Sequence, residues 1–189
     1  MQRNNQLFSG YRINPVEDFT VFAGFTCLAP NDADRDLDNF IHHDAQQHYA
    51  DRIAVTYALT RDDHPVTPFG FATLQNDAIV IDRESPLPEV AEYHYPAFPA
   101  VKIGRLGISL DMQGAGLGTV LLQLIKRLMC TANRTGCRFI TVDARRDKTN
   151  KIDTIPFYEK NGFTLLPCRK KTSRYIPMYF DLEMMGGQF

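Results

Sequence analysis

The chain has no apolar run approaching the roughly 20 residues of a membrane span, so no helical membrane anchor organises it. Its first residues, MQRNNQLFSGYR, lack the apolar core of a signal peptide, and the expected compartment is the cytoplasm. There is no C-x-x-C pair. The four cysteines, Cys27, Cys130, Cys137 and Cys168, are scattered, which argues for reduced thiols and against a metal site. Internal repeats, low-complexity tracts and linkers are also missing. The 189 residues are therefore expected to form a single domain, 1–189, with 1–30 a less defined N-terminal segment and a motif core at 101–166.

Net charge is nearly absent too, with 21 Lys and Arg against 22 Asp and Glu. The balance is uneven along the chain, however. From Lys126 to Arg174 there are 13 bases and four acids, whereas residues 1–125 hold 8 bases and 16 acids. A solvated basic surface would account for this, and so would a face that meets a polyanion, either a phosphorylated cofactor or nucleic acid.

What is present is a strand, a glycine-rich turn and a helix. Ile103, Leu106, Ile108 and Leu110 supply β-forming residues. Gln113-Gly114-Ala115-Gly116-Leu117-Gly118 follows, and then apolar residues at 117, 120, 121, 124, 125 and 128 mark one helical face. Gln123, Lys126, Arg127 and Thr131 fall largely on the other face. Such a turn offers unpaired backbone N–H groups and the positive end of a helix dipole to an anionic phosphate. It is not a P-loop, because no Gly-Lys-Ser/Thr ends it. Nor is it a dinucleotide fingerprint, since the glycines fall at 114, 116 and 118 with no acid about 20 residues on.

Around this element the pattern predicts a mixed α/β domain. An irregular first strand is expected around Phe19, Val21 and Phe22, and a helix at 34–50 capped from Asn31-Asp32-Ala33-Asp34. A strand from Ile53 to Leu59 should carry Ile53, Val55, Tyr57 and Leu59 on one face, returning as a hairpin at 69–75. Residues 76–100, with five acids and four prolines, read mainly as a long surface excursion. Gly136 is a C-cap for the long helix. A buried strand at 138–144 then makes a right-handed βαβ crossover with the strand before the turn. A further helix is expected to begin at 147–155 and to end at Asn161-Gly162. Closing strands should follow at 163–166 and 176–182, separated by the basic turn CRKKTSR.

Gln113-x-x-Gly116-x-Gly118, after a strand and opening a helix, resembles the cofactor signature of the GNAT N-acetyltransferase superfamily. Phe157-Tyr158-Glu159-Lys160-Asn161-Gly162-Phe163 resembles its second signature, at the usual separation. The resemblance covers roughly residues 34–183. It implies a GNAT-like sheet whose antiparallel strands lead into parallel ones that splay. It also implies acetyl-CoA as co-substrate, with the pyrophosphate on backbone N–H groups of Gln113, Gly114, Ala115, Gly116, Leu117, Gly118 and Thr119. The pantetheine amides would lie along Gly107, Ile108 and Ser109, as if adding a strand, and a backbone N–H there would polarise the thioester carbonyl. Tyr158 would be the general acid for the departing thiolate, a role its phenol suits at neutral pH. With no cysteine in either motif, direct transfer to a primary amine is expected.

The general base stays open among Asp143, Glu92, His94 and a water chain. His42, His43 and His48 have no acidic partner at ligand spacing, so no metal is expected. Leu37-Asp38-Asn39-Phe40 and the run Pro99 to Ile108 resemble a branch of toxin acetyltransferases that act on aminoacyl-tRNA. The basic second half would suit tRNA phosphates. Against that stand the near-neutral charge, the long segment DARRDKTNKIDTIP and the acidic loop. A small-molecule or protein amine is therefore the expected acceptor, with aminoacyl-tRNA as the alternative. A non-catalytic acyl-CoA sensor is the third reading. An antitoxin partner follows only from the toxin reading, and a homodimer stays open.

Overall fold

The computed structural model describes residues 10–28, 35–81, 87–133, 135–167 and 174–186. It divides into two compact units, Met1–Gln75 with Gly104–Ile125, and Asn76–Ile103 with Lys126–Phe189.

In the first unit β1 (Tyr11–Pro15) pairs antiparallel with β2 (Val55–Arg61), in register from Tyr11↔Arg61 to Pro15↔Tyr57. β2 pairs with the start of β3 (Gly70–Val80), from Val55↔Leu74 to Leu59↔Gly70. β3 lies beside β4 (Ala97–Ile108), and the Ser109 amide donates to Phe69 O at 2.9 Å where that pair ends. The helical segment is not one helix. α1 (Asp36–Asn39) passes through a π turn (Phe40–Asp44) into α2 (Ala45–Ala50). Phe22, Phe25 and Phe71 meet edge to face at 5.5–5.9 Å between centroids, and Phe40, Ile41 and Ala45 complete this core. Each fully buried phenylalanine contributes roughly 1.5–3 kcal/mol of transfer free energy.

Two further expectations change here. The first strand lies at 11–15, and Phe19–Phe22 form a 3-10 turn instead, because Pro15 ends the ladder and the Asp18 carboxylate accepts the Thr20 amide. In β2 the small residues Thr56 and Ala58 are buried while Val55 and Tyr57 are half-buried, and Ile53 is exposed. Ala58 packs into the cluster of Phe22, Phe25, Phe40 and Phe71, so the face turned to the large aromatic rings carries small residues.

In the second unit β4 runs parallel to β5 (Phe139–Asp147), from Ala100↔Phe139 to Ile103↔Val142. β5 pairs antiparallel with β8 (Tyr175–Asp181), and β8 with the short β7 (Thr164–Leu165). β3 reaches Val80 and β4 begins at Ala97, so 76–80 and 97–100 belong to strands and not to the expected excursion at 76–100. Leu87, Val90 and Phe98 pack it onto Phe139 and Tyr179, and Glu89 accepts the Tyr179 hydroxyl at 2.9 Å.

The long helix α3 is Leu117–Thr131. Gly136 does not cap it: among the described residues the left-handed glycines are Gly10, Gly114, Gly116 and Gly162. Residues 147–153 do not start a helix either. The Asp147 carboxylate accepts the amides of Thr149 and Asn150 and the Asn150 side chain, which turns the chain back. β6 (Ile152–Asp153) then pairs with the end of β5, and α4 (Ile155–Lys160) begins where Pro156 is tolerated. The Asn31–Asp34 caps and most of the CRKKTSR turn lie outside the described residues. Among the described residues, no helix is long and apolar enough to cross a membrane.

Candidate functional site

The glycine turn belongs to the first unit. β4 ends at Ile108, a 3-10 turn (Leu110–Met112) follows, and α3 starts at Leu117. Gly114 and Gly116 have φ of +80° and +82°, which L side chains seldom adopt. A methyl group on either would meet no atom within 4 Å. The turn is open above its glycines.

Not every expected amide is available. The Gln113, Ala115 and Thr119 amides already donate to Leu110, Met112 and Gly116 carbonyls, at 3.3, 3.4 and 3.0 Å. The first amides of α3, at Leu117 and Gly118, have no carbonyl one turn back within the helix. The Gln113 side chain faces the protein: its Nε2 donates to Cys27 O at 2.6 Å and to Ile108 O at 3.1 Å. Gly107 is buried against the core, where a Cβ would come within 2.7 Å of Phe71 Cε1. The Ile108 side chain reaches over Gly70, and the Ser109 amide is taken by Phe69.

Tyr158 belongs to the second unit, on α4. Its ring meets Phe157 and Phe163 at 5.1 and 5.4 Å. The Phe163 amide donates to Tyr158 O at 3.0 Å, closing the helix onto the next strand. Burial pushes the phenol up to about 12, so the proton stays on the oxygen through the neutral range.

Beneath α4 lies a residue the sequence pattern misassigned. Lys126, expected on the polar face of α3, is 2% exposed. Its Nζ donates to Asn161 O at 2.5 Å and sits 3.5 Å from the centroid of Phe180, with Phe163 at 5.3 Å. Burial lowers its ammonium to about 8. The signal was available: Lys126 follows Leu122 at i+4, and Leu122 is buried as well. Asn161 Nδ2 in turn donates to Phe157 O at 2.8 Å.

The base candidates separate. Asp143 pairs with Lys102 at 2.5 Å, in a cavity of about 290 Å³ whose wall also carries Asp77 and Thr141, bonded at 2.5 Å. Glu92 and His94 are exposed in the loop before β4. His42 bonds Phe25 O at 2.8 Å and His48 lies edge-on to Phe40. Among the described residues, no group of three or more His, Cys, Asp or Glu could hold a metal ion. Cys27, Cys130 and Cys137 are free, and Cys168 lies outside the described residues.

Antiparallel strands, a parallel β4–β5 pair and a glycine turn opening α3 define the class: this is the GNAT fold. The structure is similar to a tyrosine-to-phenylalanine mutant of KacT, with a TM-score of 0.69 and 21% identity over 96% of this chain and 100% of that one. AtaT complexed with acetyl-methionyl-tRNAfMet matches with a TM-score of 0.66 at 20% identity, over 93% of this chain and 96% of that one. An AtaT mutant toxin bound to the C-terminus of the antitoxin AtaR and acetyl-CoA matches at 0.63 and 19%, over 93% and 97%. No protein-family model matches the chain, and no curated protein does.

Proposed function

We propose that the protein is a cytoplasmic N-acetyltransferase that moves an acetyl group from acetyl-CoA to a primary amine by direct transfer. The open turn at Gly114 and Gly116, at the head of α3, is the observation that carries this reading. Glycines that nothing crowds, at a helix N-terminus, suit a diphosphate that must approach the backbone. Amides still free for it are those of Leu117 and Gly118, with Gly114 and Gly116 beside them; Gly107, Ile108 and Ser109 are the proposed stretch for the pantetheine arm, less the Ser109 amide and the Ile108 carbonyl, which Phe69 and Gln113 occupy. A neighbour of the same fold, an AtaT mutant toxin, is bound to acetyl-CoA, which supports the assignment.

Acetyl-CoA supplies the acetyl group already activated as a thioester. Tyr158 holds its proton, and its hydroxyl serves the sulfur as it leaves. With the phenol near 12 and an alkyl thiol near about 8.5, donation of a hydrogen bond runs ahead of full proton transfer. Asp143 is the base candidate that lies in a cavity, although its carboxylate is engaged by Lys102.

The neighbour bound to acetyl-methionyl-tRNAfMet favours a second reading, in which the acceptor is the amino group of an aminoacyl-tRNA and a small antitoxin is the partner. Exposed Arg146, Lys148 and Lys151 offer cationic contacts for a phosphate backbone, whereas Lys126 is buried and offers none. Thiol release from acetyl-CoA, measured across simple amines, amine-bearing peptides and aminoacyl-tRNAs, separates the readings. Turnover with one class identifies the acceptor. Binding of acetyl-CoA with no turnover on any class would replace the enzyme with an acyl-CoA sensor.

A further inference from the structure

Asp38 is an aspartate 3% exposed, on a helix of four residues, and no reading of the site uses it. Its Oδ1 accepts the Cys27 amide at 2.9 Å and the Cys27 thiol at 3.1 Å. Its Oδ2 accepts the Thr26 hydroxyl at 2.6 Å and Arg35 at 2.8 Å. A buried carboxylate with this many donors is fully satisfied, and it fixes the dipeptide Thr26-Cys27 in place. That dipeptide holds the approach to the glycine turn. Thr26 O accepts the Leu110 amide at 2.8 Å, and Cys27 O accepts Gln113 Nε2 at 2.6 Å. The chain of bonds is continuous from Asp38 through Cys27 to Gln113, the residue that begins the turn.

We propose that Asp38 is a positioning residue for the glycine turn, acting through Thr26 and Cys27 on Gln113; this rests on the turn being the coenzyme cradle. Two glycines in left-handed conformations have no side chains to lock them, so the direction of their amides depends on what grips the ends of the turn. α3 grips one end. Gln113 grips the other, and its acceptor is a loop carbonyl that would swing without Asp38. A donor set displaced by a fraction of an ångström loses much of its value toward a phosphate.

The test is a double-mutant cycle on coenzyme A affinity, measured by calorimetry on folded protein. Asp38→Asn keeps the shape and removes the charge; Gln113→Met keeps the length and removes the donor. Each single variant should weaken binding on the order of tenfold, and the double variant no more than the worse single, because one bond chain is being cut twice. A wild-type affinity in Asp38→Asn, with a lowered melting temperature, would show a purely structural role and overturn the proposal. Losses that multiply to roughly 100-fold in the double variant would overturn it too. If Asp38→Asn does not fold, Thr26→Val removes the hydroxyl bonded to Asp38 and should show the same coupling. Wild-type protein that fails to bind coenzyme A would overturn the reading of the turn itself, and the proposal with it.

Discussion

The turn at 113–118 and the turn at Asn161-Gly162 both put glycine in the left-handed region at a helix end, with φ near +80° in each. Their surroundings are opposite. Gly114 and Gly116 have nothing within 4 Å of an added methyl, whereas a Cβ on Gly162 would lie 3.2 Å from Phe180 Cε2. Beside Gly162 the packing is dense enough to bury the whole of Lys126 against Asn161, Phe163 and Phe180. One glycine motif leaves room for something to arrive. The other holds a helix end rigidly under Tyr158. The two signatures thus differ in what surrounds the glycine: open space at 114 and 116, a packed ring at 162.

The sharpest way to break this comparison is to fill the open turn. Gly116→Glu brings bulk and like charge to the phosphate position, and should weaken coenzyme A binding by at least about 100-fold in calorimetry. The same substitution should cost about 1–2 kcal/mol of stability from backbone strain alone. On the packed side, Tyr158→Phe should lower kcat by about 100-fold with little change in KM for acetyl-CoA, the signature of a group used in the transition state. An undiminished kcat would leave Tyr158 as a core aromatic.

Smaller effects separate the two turns by stability. Gly162→Ala should destabilise by about 1–3 kcal/mol, since it adds a crowded methyl to a left-handed residue, and should leave coenzyme affinity unchanged. Urea denaturation beside calorimetry reads both quantities. The least effect concerns Lys126. Its folded value of about 8 lies below the ordinary 10.5, so between those pH values the unfolded chain binds the extra proton and stability rises with pH. Lys126→Met should abolish this rise. The difference between wild type and variant is the quantity to follow, because Tyr158 and Tyr179, pushed up to about 12, act in the other direction above pH 10.

Much of this division could be read from the chain. Strand, glycine turn and helix follow from alternation, glycine spacing and helical period, all local signals, and the structure has them at 97–131. The parallel β4–β5 pair follows from connection rules. Lys126 could not be read the same way. Its burial is set by Phe180, which arrives from β8 much later in the chain, and a helical period assigns lysine to solvent by default. Asp38 has no pattern of its own that marks it as buried, since its donors Thr26 and Cys27 come from an earlier loop with no periodicity. The segment at 147–153 looked helical by composition, but the Asp147 carboxylate draws the chain into a turn. That group also takes Arg145 and Arg174, and the Asn150 side chain first, then the Asn150 amide and Arg174, hold its pKa well below the usual carboxylate range.

The most direct measurement is a titration of isotopically labelled protein with acetyl-CoA, followed through the backbone amide resonances. Placement of the coenzyme on this turn predicts that the amides of Gly114, Gly116, Leu117 and Gly118 shift together and saturably. Saturable binding that leaves those four amides unmoved would place the coenzyme elsewhere and contradict it.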